Sequence, residues 1–211
     1  MKTEFEPITF DASTHLPVME QFYTLQGEGA NTGRAAYFIR LAGCDVGCTW
    51  CDVKESWPVD EKQLISINSI VDAALKHRGR FVVITGGEPS LYDLTQLTKQ
   101  LHASNFEIAI ETSGTNKIMG EFDWICLSPK KFKPVLDENY QLAHELKIIA
   151  FNNHDFTWAL ELQNKVKSTC KLFIQTEWDK TNEMTPKVIE FVKENPLWQL
   201  SMQTHKYLDI P

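Results

Sequence analysis

The chain has 211 residues, of which 43% are hydrophobic, and a formal net charge of −7. This length suits one globular domain with a sizeable core, and no window approaches the apolar run that a membrane span needs. The negative charge argues against direct nucleic-acid binding, which requires a basic face. We therefore expect a single domain over residues 1–211 with neither a membrane nor a nucleic-acid partner.

Short apolar runs alternate along the chain with helical periodicity. The runs that predict strands are 36–41, 81–85, 106–111, 124–127, 146–150, 170–175 and 198–204. The stripes that predict helices are Ile67, Ile70, Val71, Ala74 and Leu75; then Leu94, Leu97 and Leu101; then Ala159, Leu162 and Val166. Thr185 and Pro186 predict the start of a further helix, with Ile189 and Val192 facing inward.

Alternating β and α segments favour a parallel sheet with crossover helices. A complete eight-unit β/α barrel needs ~250 residues, so this length predicts an incomplete, TIM-like α/β barrel of about six parallel strands.

Polar or glycine-rich motifs follow six of these predicted strands directly. They are the cysteine loop 43–52, then 85–89, 111–114, 128–130, 175–178 and 203–206. In a parallel barrel the carboxyl ends of the strands share one face, where active sites lie. The sequence therefore predicts one composite site.

The cysteine loop contains Cys44, Cys48 and Cys51 in the spacing C-x3-C-x2-C. Three thiolates this close can cap three irons of a [4Fe–4S] cluster, which normally takes four protein thiolates, and leave one iron open. A structural zinc site is the alternative, with Cys126, Cys170 or a histidine as fourth ligand, but zinc sites usually pair two close ligands with two distant ones. Cys126 and Cys170 lie in apolar runs and are expected to be buried.

The loop, with Trp50 just before its last cysteine, resembles that of the radical S-adenosylmethionine (SAM) enzymes. In that superfamily the open iron chelates SAM, and an electron splits it into methionine and a 5′-deoxyadenosyl radical. The resemblance makes Cys44, Cys48 and Cys51 catalytic cluster ligands. It also implies a set of SAM-binding residues: Trp50, Cys51, Asp52, Gly86, Gly87, Glu88, Ser113, Ser128, Pro129, Lys130, Gln175, Thr176, Glu177 and Trp178.

A narrower resemblance covers residues 22–211. The segments FYTLQGEG at 22–29, FIRLAGC at 38–44 and QTHKYLDIP at 203–211 are similar to those of the 7-carboxy-7-deazaguanine synthases. That family contracts the ring of 6-carboxy-5,6,7,8-tetrahydropterin with loss of ammonia, regenerates SAM, and serves queuosine and 7-deazapurine biosynthesis. The resemblance implies a homodimer and a reductant such as flavodoxin.

A pterin edge carries alternating donors and acceptors, which polar side chains and backbone on the 22–29 segment can match. Arg40 can grip the substrate carboxylate with a bidentate fork. The terminal carboxylate of Pro211 is expected to help close the pocket. The full set of expected substrate-binding residues is Leu25, Gln26, Gly27, Glu28, Arg40, Thr85, His205 and Pro211.

One position departs from the family pattern. The family usually places a Mg²⁺-ligating threonine after the Cys-Asp that ends the cluster loop, whereas this chain has Val53. We therefore expect either no magnesium or magnesium held through substrate and water.

Two other functions share some of these features. A small glycyl-radical activase would share the cysteine loop and the Gly-Gly-Glu-Pro motif, and an iron–sulfur electron carrier would need only the cysteines. Residues 1–15 lack the apolar core of a signal peptide, and the loop thiols must stay reduced, so we expect a cytoplasmic location. The segment 130–144 carries no interpretable motif.

Overall fold

The computed structural model describes residues 8–211. Part of the segment 1–15, for which we expected no signal peptide, therefore lies outside the described residues. Within the described chain, nine strands form one sheet. They are β1 (His15–Leu25), β2 (Ala35–Leu41), β3 (Leu64–Ser66), β4 (Phe81–Gly86), β5 (Glu107–Thr112), β6 (Trp124–Leu127), β7 (Glu145–Ala150), β8 (Lys171–Thr176) and β9 (Trp198–Ser201).

The strand order is β3-β1-β2-β4-β5-β6-β7-β8-β9. From β2 to β9 every neighbouring pair is parallel, while β1 pairs antiparallel with both β2 and β3. The open, mostly parallel α/β architecture is confirmed, with a sheet that does not close into a barrel. The parallel part has one strand more than the six expected from length, and β1 and β3 are additions that the sequence did not predict.

In the described part of the chain, six α-helices connect strands or follow the last one. They are α1 (Ile67–Leu75), α2 (Thr95–Ala103), α3 (Asp137–Leu142), α4 (His154–Gln163), α5 (Thr181–Glu194) and α6 (Thr204–Leu208). No helix in residues 8–211 has the length and apolar character needed to cross a membrane.

The core lies between the helices and one face of the sheet. Alternate strand residues such as Leu146 and Ile148 pack there against α4 and α5, while α1 and α2 cover the β2–β5 half. The residues between them, such as Lys147 and Ile149, point to the opposite face, which we call the inner face.

Two boundary predictions were wrong. Helix α5 begins at Thr181, directly after a 3-10 turn at Trp178–Lys180, and Pro186 lies inside it. Proline's fixed φ is compatible with a helix, but Pro186 has no N–H to donate to the carbonyl of residue 182 and its ring crowds that carbonyl. The buried stripe is Met184, Val188 and Phe191, which leaves Ile189 42% exposed.

The last predicted strand, 198–204, ends three residues early at Ser201. His205 therefore lies on the short helix α6 rather than just past a strand. The N–H and hydroxyl of Thr204 both donate to the carbonyl of Gly27, which turns the chain back over the inner face.

Candidate active site

The inner face and the carboxyl ends of the parallel strands enclose a cavity of about 500 Å³. Every residue predicted from the sequence to bind cluster, SAM or substrate lines this cavity except Pro129, which is buried beside Ser128. The six motifs thus meet at one place, as the strand-end argument predicts.

The floor of the cavity is a buried ion-pair network centred on Lys147. Its side chain is only 4% exposed, and its Nζ donates to Glu28 at 2.6 Å and to Glu111 at 2.8 Å. Burial alone would lower the pKa of Lys147, but the surrounding negative groups hold that pKa well above its usual value. The ammonium therefore stays charged between the two carboxylates.

Glu28 extends into this network from the loop that joins β1 to β2. Its Oε1 accepts hydrogen bonds of 3.0 Å from the side-chain amides of Gln175 and Gln203, and its Oε2 accepts from Lys147. Burial would raise the pKa of Glu28, but the charge of Lys147 and these hydrogen bonds lower it to about 2. Glu28 is thus an anion at any physiological pH.

Gln26 extends the floor. Its Nε2 donates to Glu111 at 3.2 Å, and its Oε1 accepts from the N–H of Glu28 at 3.1 Å. With two carboxylates facing one ammonium, the floor has more acceptor than donor groups, and several acceptor lone pairs remain. Such a surface suits a ligand edge that presents N–H groups.

Gly27 and His205 are in direct contact above this floor. A Cβ at Gly27 would lie 2.2 Å from Nδ1 of His205, so only glycine fits there. Burial lowers the pKa of His205 and the negative charge of Glu28 only opposes this, which gives a neutral imidazole at neutral pH.

Arg40 borders the cavity from β2, opposite Thr85 of β4 in the parallel register. Its Nε donates to Glu20 at 2.6 Å. Its two Nη groups have no hydrogen-bond partner among residues 8–211, so they remain available for a ligand carboxylate.

The three loop cysteines all line the cavity as free thiols, whereas Cys126 and Cys170 do not line it. The loop is fixed in place because the N–H groups of Gly43 and Cys44 donate to the carbonyls of Ser56 and Trp57. Burial raises the pKa of the Cys48 thiol to about 11, an effect that Lys130 partly opposes. Binding of iron would therefore displace protons from these thiols.

These thiols fit a [4Fe–4S] cluster better than a single ion. Within residues 8–211 no group of three or more Cys, His, Asp or Glu side chains converges on one metal position. Each cysteine of a cubane cluster binds a different iron, so cluster ligands need not converge on one point.

Gly86 and Gly87 are in close contact with the end of β2 and with the start of the cysteine loop. Cβ atoms placed on them would lie 2.2 Å from the carbonyl oxygen of Leu41 and 2.1 Å from that of Gly43. The N–H of Gly87 donates to Leu41, and that of Glu88 to Gly43. The glycines let the end of β4 support the cysteine loop from beneath.

Glu88 is 2% exposed, and its carboxylate is fully engaged. It accepts from the N–H and hydroxyl of both Ser90 and Ser113, and from the hydroxyl of Thr112. This arrangement ties the ends of β4 and β5 together, so Glu88 shapes the cavity wall as well as lining it.

Lys130 and Trp50 form the wall beside the cysteines. The Nζ of Lys130 donates to the carbonyl and hydroxyl of Ser128 at 2.6 Å and lies 5.8 Å from the Trp50 ring centroid. Burial lowers the pKa of Lys130.

One polar contact and one unpartnered buried oxygen complete the wall of the cavity. Lys206 donates to Asp52 at 2.8 Å. Glu177 is buried, and its Oε2 has no partner among the described residues, which leaves an acceptor for a ligand donor.

Sequence reasoning missed Lys147 as a member of the site, and it assigned no role to Glu111 or Gln203, although the motifs 111–114 and 203–206 contain them. The sequence of β7, ELKIIA, contained a signal for Lys147. Its two charged residues, Glu145 and Lys147, stand two positions apart in an otherwise apolar strand. Such alternation indicates a strand with one polar face.

Comparison with known proteins shows which family the chain belongs to. A family model for the radical SAM superfamily matches residues 38–171. The chain is 51% identical to 7-carboxy-7-deazaguanine synthase of Flavobacterium psychrophilum, over 100% of both chains. It is 43% identical to the enzyme of that name from Synechocystis, over 97% of this chain and 98% of the other.

The solved structure of QueE from Escherichia coli superposes with a TM-score of 0.81 at 32% identity, covering 89% of this chain and 93% of that one. Cysteine loop, cavity and relatives agree, and the chain belongs to the radical SAM superfamily and, within it, to the 7-carboxy-7-deazaguanine synthases.

Proposed function

We propose that this chain converts 6-carboxy-5,6,7,8-tetrahydropterin to 7-carboxy-7-deazaguanine with release of ammonia, in queuosine and 7-deazapurine biosynthesis. The observation that carries the proposal is that the three loop thiols and the acceptor-rich floor face the same cavity. The conversion is redox-neutral, because the atoms of the substrate equal those of the product plus ammonia.

The cysteine side of the cavity would hold the cofactors. Cys44, Cys48 and Cys51 ligate a [4Fe–4S] cluster, and SAM lies along the wall formed by the ends of β4, β5, β6 and β8. When bound, this pair supplies carbon-radical chemistry for hydrogen abstraction. The protein's own contribution is to place the substrate beside that wall and to exclude water.

The floor side would bind the pterin. Glu28 and Glu111 accept its N–H groups, and the Nη groups of Arg40 grip its carboxylate. The neutral ring of His205 and residue Pro211 cover the opposite side. Because Glu28 is an anion and His205 is neutral, the recognition surface keeps its charge state across neutral pH.

Further features belong to the same proposal. We infer a single domain with an N-terminal substrate segment and a C-terminal covering tail, a homodimeric assembly, a flavodoxin-like reductant and a cytoplasmic location where the thiols stay reduced. A glycyl-radical activase or an electron carrier would have no use for the buried Glu28–Lys147–Glu111 network, so neither is favoured.

Anaerobic turnover tests the function. Reconstituted protein is incubated with SAM, a reductant and the carboxytetrahydropterin, and products are identified by mass spectrometry. We expect 7-carboxy-7-deazaguanine and ammonia in equal amounts. A protein that cleaves SAM yet leaves the pterin unchanged would refute the proposed substrate.

A further inference from the structure

The loop that carries Gln26 and Glu28, residues 26–31, crosses the inner face of the sheet and is held by groups outside the cavity. We call it the recognition loop. The N–H of Gly29 donates to the hydroxyl of Ser201 at 3.0 Å, and the carbonyl of Gly27 accepts from Thr204. The third anchor is Glu145.

Glu145 is the first residue of β7 and is 2% exposed. Its Oε2 accepts from the N–H of Ala30 and from the indole N–H of Trp124, both at 3.1 Å. The thiol of Cys126 lies 3.6 Å from its Oε1. Glu145 does not line the cavity.

The contact between Glu145 and the recognition loop is tight. Gly29 has φ +63°, and a Cβ there would lie 2.0 Å from Oε1 of Glu145. Backbone at this φ favours glycine, and a side chain at this position would fit only if the Glu145 carboxylate moved. The carboxyl group therefore lies directly against the backbone of the recognition loop.

We propose that Glu145 is a positioning residue for substrate recognition, which holds the recognition loop from behind so that Glu28 reaches Lys147, Gln175 and Gln203. The inference rests on the proposed function, because it makes pterin affinity depend on Glu145, a residue that does not line the cavity. Without this anchor Ala30 would lose its partner and Glu28 would leave the floor network.

A purely structural role would make a different prediction. Glu145 would then contribute to the free energy of unfolding and leave the Michaelis constant of the folded enzyme unchanged. Two measurements distinguish these roles. One is whether a variant changes KM or kcat, and the other is the amide hydrogen exchange rate of the recognition loop.

The test compares Glu145→Ala, Glu145→Gln and Asp123→Ala in the reconstituted enzyme. Glutamine preserves the anchor, because its oxygen can accept both N–H bonds. Asp123 is the matched control, since its carboxylate also contacts one backbone N–H, that of Ile108, and one ring nitrogen, that of His102, away from the loop.

For Glu145→Ala we expect the KM for the carboxypterin to rise about tenfold or more, with kcat and SAM affinity near wild type. The amides of Gly29 and Ala30 should exchange faster, whereas Glu145→Gln and Asp123→Ala should match wild type in both measurements. If Glu145→Ala does not fold, Gly29→Ala tests the same contact from the loop side and should raise KM likewise.

Unchanged KM and unchanged loop exchange in a folded Glu145→Ala protein would overturn the proposal. Failure of the proposed function is distinguishable, because the wild type would then not transform the carboxypterin at all. Hydrogen exchange would still decide whether Glu145 holds the loop.

Discussion

At the scale of single residues, the site depends on how charge is balanced among buried side chains. Lys147 lies between two carboxylates in the cavity floor. Removing one partner of such a buried group leaves an uncompensated charge, which is far more costly than losing a surface pair. The network is therefore both a recognition surface and a constraint on the folded state.

Glu28 should make the free energy of unfolding decrease at acidic pH. Its folded pKa of about 2 is below its ordinary value of 4.5, so its contribution is complete above the ordinary value and is lost as pH falls towards the folded one. We expect the loss of unfolding free energy between about pH 6 and pH 3 to be smaller by about 2 kcal/mol in Glu28→Gln than in wild type.

Denaturant unfolding at a series of pH values measures this difference. Glu190→Gln is the control, since Glu190 pairs with Lys193 on an exposed face. Wild type and variants carry the same cysteine loop, so acid effects on that loop cancel. If the free energy of unfolding of Glu28→Gln falls between about pH 6 and pH 3 as much as that of wild type, the lowered pKa assigned to Glu28 is contradicted.

Val53 lines the cavity, but its side chain offers no oxygen to a hard cation. We expect chelation of magnesium to change wild-type activity little, and Val53→Thr to make activity depend more on magnesium. Initial rates with and without a chelator measure this. A steep magnesium requirement in the wild type, unaltered in Val53→Thr, would disprove the expectation.

At the scale of elements, the seven strands β2 and β4 to β9 were predictable because apolar β-rich runs give strands, although the last one ends at Ser201 and not at residue 204. Strand β1 was not predictable, because a bulge between Val18 and Glu20 breaks the period-two pattern. Helices α3 and α6 contain only six and five residues, too few to show a helical stripe.

Contacts between site residues that lie far apart in the sequence could not be predicted from the sequence. Gln26 and Glu28 were assigned to substrate from the segment around them, but their contacts with Glu111, Lys147 and Gln203 come from three distant parts of the chain. Pairing across the sheet brings these groups together, and no local pattern encodes it.

The C-terminal element covers the cavity. After α6, Asp209 turns the chain with φ +53°, the N–H of Ile210 donates to the carbonyl of His205 at 3.2 Å, and Pro211 lines the cavity. We expect deletion of Ile210 and Pro211 to raise the pterin KM tenfold or more (~1.4 kcal/mol), with SAM binding unchanged.

Steady-state kinetics of the truncated enzyme test this expectation. Leu208→Ala is the control, since that side chain is 58% exposed and does not line the cavity. Equal KM values for truncated and full-length enzyme would show that these two residues do not contribute to substrate binding.

At the scale of the whole molecule, an open sheet leaves its inner face uncovered by strands, and the recognition loop and the tail fill that space. The loop contains only one short 3-10 helix, Gly29–Asn31, and the backbone groups of Gly27, Gly29 and Ala30 are bonded to Thr204, Ser201 and Glu145. The same arrangement brings the pterin-binding groups next to the cysteine loop.

The most direct test of this account is the iron content of cysteine variants after anaerobic reconstitution, with absorption and electron paramagnetic resonance spectra. Wild type and a Cys126→Ala, Cys170→Ala double variant should each bind about four irons per chain. A Cys44→Ala, Cys48→Ala, Cys51→Ala triple variant should bind none and form no 5′-deoxyadenosine. Unchanged iron and spectra in the triple variant would contradict the assignment of the cluster to this loop.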